Sequence, residues 1–201
     1  EAAARVRAVR TRELTRAAMS DLLGGVNPRG HAIADATDAA LLGALAIAGR
    51  EDAERWGAER ARVAFVAMGR YGGRECSYAS DADVIALHEA VGGASDSEAA
   101  ASATAIVNRV KKLLGSATSQ LGIVVDLDLR PEGKNGPMSR TIASHEEYAQ
   151  RWASTWERQA AVRARPIGDG ELAQAARSLF ESMAYRDVSE AEVRDIRLLK
   201  A

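Results

Sequence analysis

The chain has 201 residues, 47% hydrophobic and 27% charged, the balance of a globular domain long enough for a sizeable core. Its formal net charge of −1 excludes a global basic field, so nucleic-acid binding has no electrostatic support. The lone cysteine, Cys76, excludes an internal disulfide framework and fits a reducing cytoplasm, and neither a run of about 18 apolar residues nor a secretory leader pattern is present.

Residues 1–24 read as a helix, with Val6, Val9, Leu14, Ala17, Ala18 and Leu22 near helical spacing and Gly24-Gly25 as its end. NPRG, 27–30, reads as a turn, and an Ala- and Leu-rich helix follows over 31–55. Both helices are expected to form a packing layer. RVAFVAM, 62–68, is a continuous β-prone run and predicts a buried strand; DADVIALHE, 81–89, predicts a second. A loop, VGGASDSE, leads to a helix over 98–115 that ends at Gly115. GIVVDLDLRP, 122–131, predicts a third strand that Pro131 helps to stop, followed by the loop EGKNGP. Ser144 with Glu147 forms a capping-box pattern, predicting one long helix to about residue 165, before Pro166. A turn at IGDGE and a helix to about 184 complete the pass. Strands mixed with helices point to an α/β or α+β domain with a small sheet. The chain begins with Glu and stops inside a helical pattern, which suggests a piece of a longer protein.

The window GRYGGRECSYASDADVIAL, 69–87, concentrates the chemistry. Asp81 and Asp83 stand at i and i+2, so on a strand they share one face while Ala82 and Val84 take the other. Asp126, Asp128 and Arg130 share a face in the same way, opposite Val125, Leu127 and Leu129. If the two strands are neighbours, several carboxylates converge, and like charges that close call for a cation. Oxygen ligands suit Mg²⁺, which suits phosphates, and this is how a two-metal nucleotidyl-transfer site is built. Gly72 and Gly73 would let backbone N–H groups approach phosphate oxygens, and Ser80 adds a hydroxyl. Alone, Gly-Gly is usually a turn and Asp-x-Asp usually solvated surface; the combination carries the reading. Neither a Walker loop nor a G-x-G-x-x-G fingerprint is present.

A hydrophobic strand, a glycine pair and Asp-x-Asp on the next strand resemble the polymerase-β-type nucleotidyltransferase superfamily. Within it, AMGRYGGRECSYASDADV, VDLDLRPEGKNGPM and TWERQAAVRARPIGD together resemble the bifunctional glutamine synthetase adenylyltransferase/adenylyl-removing family, over nearly the whole chain. The resemblance implies an α+β fold, a small mixed sheet flanked by helices. Its segments are 1–58, helical; 59–165, the core with the long helix; and 166–201, helical and leading to a further helical domain. It implies ATP as substrate, Mg²⁺, glutamine synthetase as protein substrate, a PII-type regulatory protein acting through the full-length enzyme, and no nucleic-acid or membrane partner. Carried over by position, Asp81 and Asp83 match the metal ligands. Asp126 matches the third carboxylate and candidate base, and Gly72, Gly73 and Ser80 match the phosphate loop. Asp128 is auxiliary, and Tyr71 and Cys76 stand where Leu is commoner. SYASDADV, WERQAAVRARP and EVRDIRLLK look closer to the C-terminal, adenylylating lobe. That lobe moves AMP from ATP to a tyrosine hydroxyl with release of pyrophosphate. The alternatives are the phosphorolytic, deadenylylating lobe and a non-catalytic nucleotide- or target-binding module.

Tyr148, Trp152, Trp156 and Ala160 recur at i, i+4 and read as a core stripe rather than a stacking platform. Gln159 and Arg163 lie near that face, and the match to the family's motif makes Arg163 a nucleotide-binding candidate. Arg130 is a candidate for charge balance or phosphate contact, while Arg165 reads as an internal ion-pair partner. His31, His88 and His145 lack zinc spacing and read as surface or packing residues.

Overall fold

The computed structural model describes residues 2–24, 29–115 and 122–198. Two helices open it, α1 (Ala2–Leu22) and α2 (Arg29–Trp56), close to their expected spans. Gly25 of the expected helix end and Asn27 and Pro28 of the expected turn lie outside the described residues, while Arg29 and Gly30 open α2. Strand β1 (Ala61–Ala67) runs into a one-turn helix, α3 (Gly69–Gly72), and strand β2 (Ala82–Ala90) follows. Helix α4 (Asp96–Leu114) starts at a Ser95/Glu98 capping box and stops at Gly115. Then come β3 (Val125–Asp126), α5 (Ile142–Arg151), α6 (Thr155–Ala161), β4 (Arg165–Pro166), α7 (Glu171–Tyr185) and α8 (Glu190–Leu198).

The sheet order is β3-β2-β1-β4. β1 is antiparallel to β2 and to β4, whereas β2 and β3 are parallel, so the sheet is mixed and the fold is α+β. Side-chain alternation divides the core between the two faces of the sheet. Phe65, Ala67, Val84, Ala86 and Val125 pack with Ile33, Leu41 and Ala44 of α2 and Ile106 and Val110 of α4. Val66, Ile85 and Leu87 pack on the other face with Leu179, Phe180 and Met183 of α7. Burial on both faces is why β1 reads as an unbroken apolar run instead of an alternating one. A fully buried side chain such as Phe65 contributes about 1.5–3 kcal/mol by removal from water.

Helix α2 is long and apolar enough to span a membrane by length and composition, yet Ile33, Leu41 and Ala44 lie under the sheet. Its acidic residues Asp35 and Asp38 reach across to Arg74, in the loop after α3, and to Arg165 of β4.

Three expectations are corrected. The third strand is only Val125–Asp126, not 122–131, because the Asp126 carboxylate accepts the Asp128 N–H (2.7 Å) and turns the chain. The long helix over 144–165 is two helices broken at 152–154. Thr141, not Ser144, caps α5, and the capping box is Ser154 with Glu157 at the start of α6. The two-residue strand β4 is unexpected; it lies at the sheet edge, where Pro166 removes no needed ladder donor.

Candidate active site

The start of β2 and the whole of β3 meet at one edge of the sheet. Ala82 is the register partner of Val125, and Asp83 of Asp126. Partners in a ladder share a face, so Asp83 and Asp126 project together, with Ala82 and Val125 buried opposite. Asp81 stands just before the strand and is exposed. The carboxyl of Asp83 is pushed above the usual carboxylate range by its burial, then by the charges of Asp126 and Asp81, with Arg70 pulling the other way. Asp126 and Asp81 thus both act on Asp83. Their hard oxygen donors and mutual repulsion fit a divalent cation such as Mg²⁺. Among the described residues, no three carboxylate, imidazole or thiolate groups already converge on one point.

Helix α3 brings Gly69, at its head, beside Asp83. The Met68 N–H donates to the Asp83 carbonyl (2.9 Å), which ties the head of α3 to β2. Gly69 has φ of +54°, and a Cβ there would stand 3.2 Å from Asp83 Oδ2. The two following glycines differ in kind. A Cβ on Gly72 would lie 2.0 Å from the Arg163 carbonyl and 2.6 Å from that of Ala67, so the chain crossing itself requires glycine. A Cβ on Gly73 would meet nothing nearer than 3.5 Å, so packing does not require glycine there. The N–H groups of Gly72 and Gly73 donate to Met68 O (2.7 Å) and Gly69 O (3.1 Å), contrary to the expectation that they face a phosphate.

The loop is held from outside by a network that local sequence spacing does not reveal. Arg165 makes two bonds to the Asp38 carboxylate (2.7 and 3.0 Å) and one to the Gly72 carbonyl (3.3 Å). The Tyr71 hydroxyl donates to Asp38 (2.5 Å), and the Arg165 guanidinium lies 5.5 Å from the Tyr71 ring centre. Burial, followed by the Asp38 carboxylate, pushes the Tyr71 phenol upward, so it stays a donor. Arg165 is the internal ion-pair partner expected of it. Arg163 pairs with Glu75 (2.7 Å) over Gly73. Asp38, Tyr71 and Glu75 carry no sequence signal of their own, because no local spacing links them to their partners.

Other expected residues lie elsewhere. Arg130 is buried and donates to the carbonyls of Leu127 (2.9 Å) and Gly136 (3.3 Å), so it braces the loop after β3 and does not continue a strand face. Asp128 turns out to Lys134 (3.2 Å). Ser80 Oγ accepts the Ser77 N–H (2.9 Å) and closes the turn before Asp81. Beside that turn a cleft of about 560 Å³ opens, lined by Arg10, Thr15, Tyr78, Ser80, Asp81 and Val124. Tyr148, Trp152 and Trp156 form no core stripe: the helix breaks between the tryptophans, which are 62% and 46% exposed. His88 and His145 are buried packing residues and His31 is exposed.

An α+β domain that sets acidic strand ends beside a glycine turn is the class of protein that fold and site define. Residues 1–179 match the glutamate-ammonia ligase adenylyltransferase family, and the chain belongs to it. Among its relatives, the bifunctional glutamine synthetase adenylyltransferase/adenylyl-removing enzyme of Bifidobacterium longum is 41% identical over 210 residues, covering 100% of this chain and 20% of the relative. The enzymes of the same description from Streptomyces coelicolor and Mycobacterium tuberculosis are each 38% identical, again over 100% of this chain and 22% and 21% of their own lengths. The chain thus spans about a fifth of these relatives.

Proposed function

We propose that this chain is an adenylylating lobe, which transfers AMP from ATP to a tyrosine hydroxyl of glutamine synthetase and releases pyrophosphate. The observation that carries the reading is the Asp83–Asp126 register beside the Gly69 turn, where a Cβ would stand 3.2 Å from Asp83 Oδ2. Asp81, Asp83 and Asp126 would hold Mg²⁺, which when bound supplies charge neutralisation of the triphosphate and activation of the nucleophile. Asp126 is positioned by the Asp128 N–H on one oxygen and accepts the phenolic proton as the tyrosine oxygen attacks the α-phosphorus in line. Arg163 and the Gly73 surface take the phosphates, and Ser80 sits at the rim of the cleft next to Asp81. Catalysis of this kind rests on positioning and charge stabilisation, which suits acidic strand ends beside a glycine turn that the Asp38–Arg165 pair braces.

The test uses ATP labelled at the α-phosphorus, purified glutamine synthetase, Mg²⁺ and this chain. Label on the synthetase that disappears with a chelator is expected. ADP released from adenylylated synthetase and phosphate, with no label transferred in the first assay, would reverse the assignment of direction.

A further inference from the structure

Three acid–arginine pairs surround α3 and the loop after it, and they differ in exchangeability. Asp38–Arg165 is largely buried, bidentate and shared with Tyr71 and Gly72, so breaking it strands a charge. Asp35–Arg74 joins the loop to α2 (2.6 Å). Glu75–Arg163 is a single contact of 2.7 Å between side chains that are 54% and 50% exposed. Its two members come from segments 88 residues apart and flank Gly73. Glu75 Oε1 and Arg163 Cδ lie 3.5 and 3.6 Å from the position a Gly73 Cβ would take. A carboxylate thus stands against the cation that packs beside Gly73.

We infer that Glu75 is a resident stand-in for phosphate: it keeps Arg163 aimed over Gly73 and is exchanged for a polyphosphate oxygen when nucleotide binds. The inference rests on the nucleotide reading of this site. An exposed single-contact pair is weak enough to exchange, and phosphate oxygens offer guanidinium the same charge-assisted hydrogen bonds with more charge. Glu75 accordingly acts as a specificity residue. Ligands must displace it to reach Arg163, so multiply charged polyphosphates succeed where a neutral nucleoside makes no use of that cation.

Calorimetric titration of ATP, inorganic tripolyphosphate and adenosine into the parent chain, Glu75→Gln, Arg163→Gln and the double variant tests this. Melting curves check that each variant folds. Glu75→Gln is expected to tighten ATP and tripolyphosphate about twofold to fivefold, the range a half-exposed ion pair allows, and to leave adenosine unchanged. Arg163→Gln is expected to weaken both polyphosphates and to abolish the gain from Glu75→Gln. A gain that persists in the Arg163→Gln background would reduce Glu75 to general charge repulsion and overturn the inference. Weaker or unchanged ATP binding by Glu75→Gln, with the parent binding ATP, would also overturn it and leave the nucleotide site intact. A parent chain that binds neither ATP nor tripolyphosphate would overturn the nucleotide reading and this inference together.

Discussion

Asp83 on β2 and Asp126 on β3 are direct partners in a parallel ladder, so two carboxylates face the same side of the sheet one strand spacing apart, about 4.8 Å along the hydrogen-bonding direction. Like charges at that range repel, so holding both carboxylates ionised there costs stability. Replacing Asp83 with Asn is therefore expected to raise the melting temperature while AMP transfer falls on the order of a hundredfold or more, the scale of losing a charged group that acts in the transition state. A variant that is both less stable and fully active would contradict this. Differential scanning calorimetry beside the transfer assay reads both quantities.

The two adjacent glycines should respond differently to alanine. Gly72→Ala drives a methyl into the Arg163 and Ala67 carbonyls and is expected to destabilise the chain by about 3 kcal/mol or more, read by urea unfolding. Gly73→Ala meets only ordinary contacts and is expected to cost about 0.5 kcal/mol or less, as at a site free of steric conflict. Its effect should appear as weaker ATP binding.

Tyr71, Asp38 and Arg165 should behave as one unit. Tyr71→Phe removes a hydrogen bond to a charged acceptor and is expected to cost about 1.5–3 kcal/mol. Asp38→Asn leaves the Arg165 charge poorly compensated and should cost more. In the double variant the costs should fall short of their sum, because the Tyr71 bond has already lost its charged partner. Strict additivity in a double-mutant cycle would show that the three side chains do not cooperate.

His145 gives the fold an acid-sensitive window. Its ring is buried against Phe180, with Nδ1 unpartnered. Burial, then the Arg140 charge, pulls its pKa down from 6.5 to about 4, opposed by Glu157. Between those values the unfolded chain binds the proton and the folded chain does not. Stability therefore falls as pH drops from 6.5 toward 4, by up to about 3 kcal/mol, and levels off below. His145→Leu should remove most of that slope in urea melts across the window. His88, also lowered by burial, leaves a smaller slope of the same sign.

Much of the candidate site was legible in the sequence because its signals are short-range. Alternation placed Ala82 and Val84 in the core and Asp83 opposite them, and the same period placed Asp126 opposite Val125. The chemistry of clustered carboxylates followed from side-chain type alone, and the order of three segments carried the family. The breaks were harder to read because local signals compete. S-x-x-E occurs at Ser154 as well as in the S-x-x-E-like 144–147 stretch, and only the former caps a helix. Asp126 ends its own strand by accepting the Asp128 N–H, a choice between ladder and turn that depends on whether a partner strand continues.

By itself the sequence determined the helix and strand periods, the acidic pairs, the glycine pair and the family to which they belong, since each is written within a few residues. Only the tertiary structure decided which glycine is sterically obligatory, that Arg165 reaches Asp38 across 127 positions, that Arg163 meets Glu75 and that Arg130 turns into its own loop. Such contacts form when the whole core fixes segments distant in sequence, so their energetics depend on burial and chain crossing that no local pattern encodes.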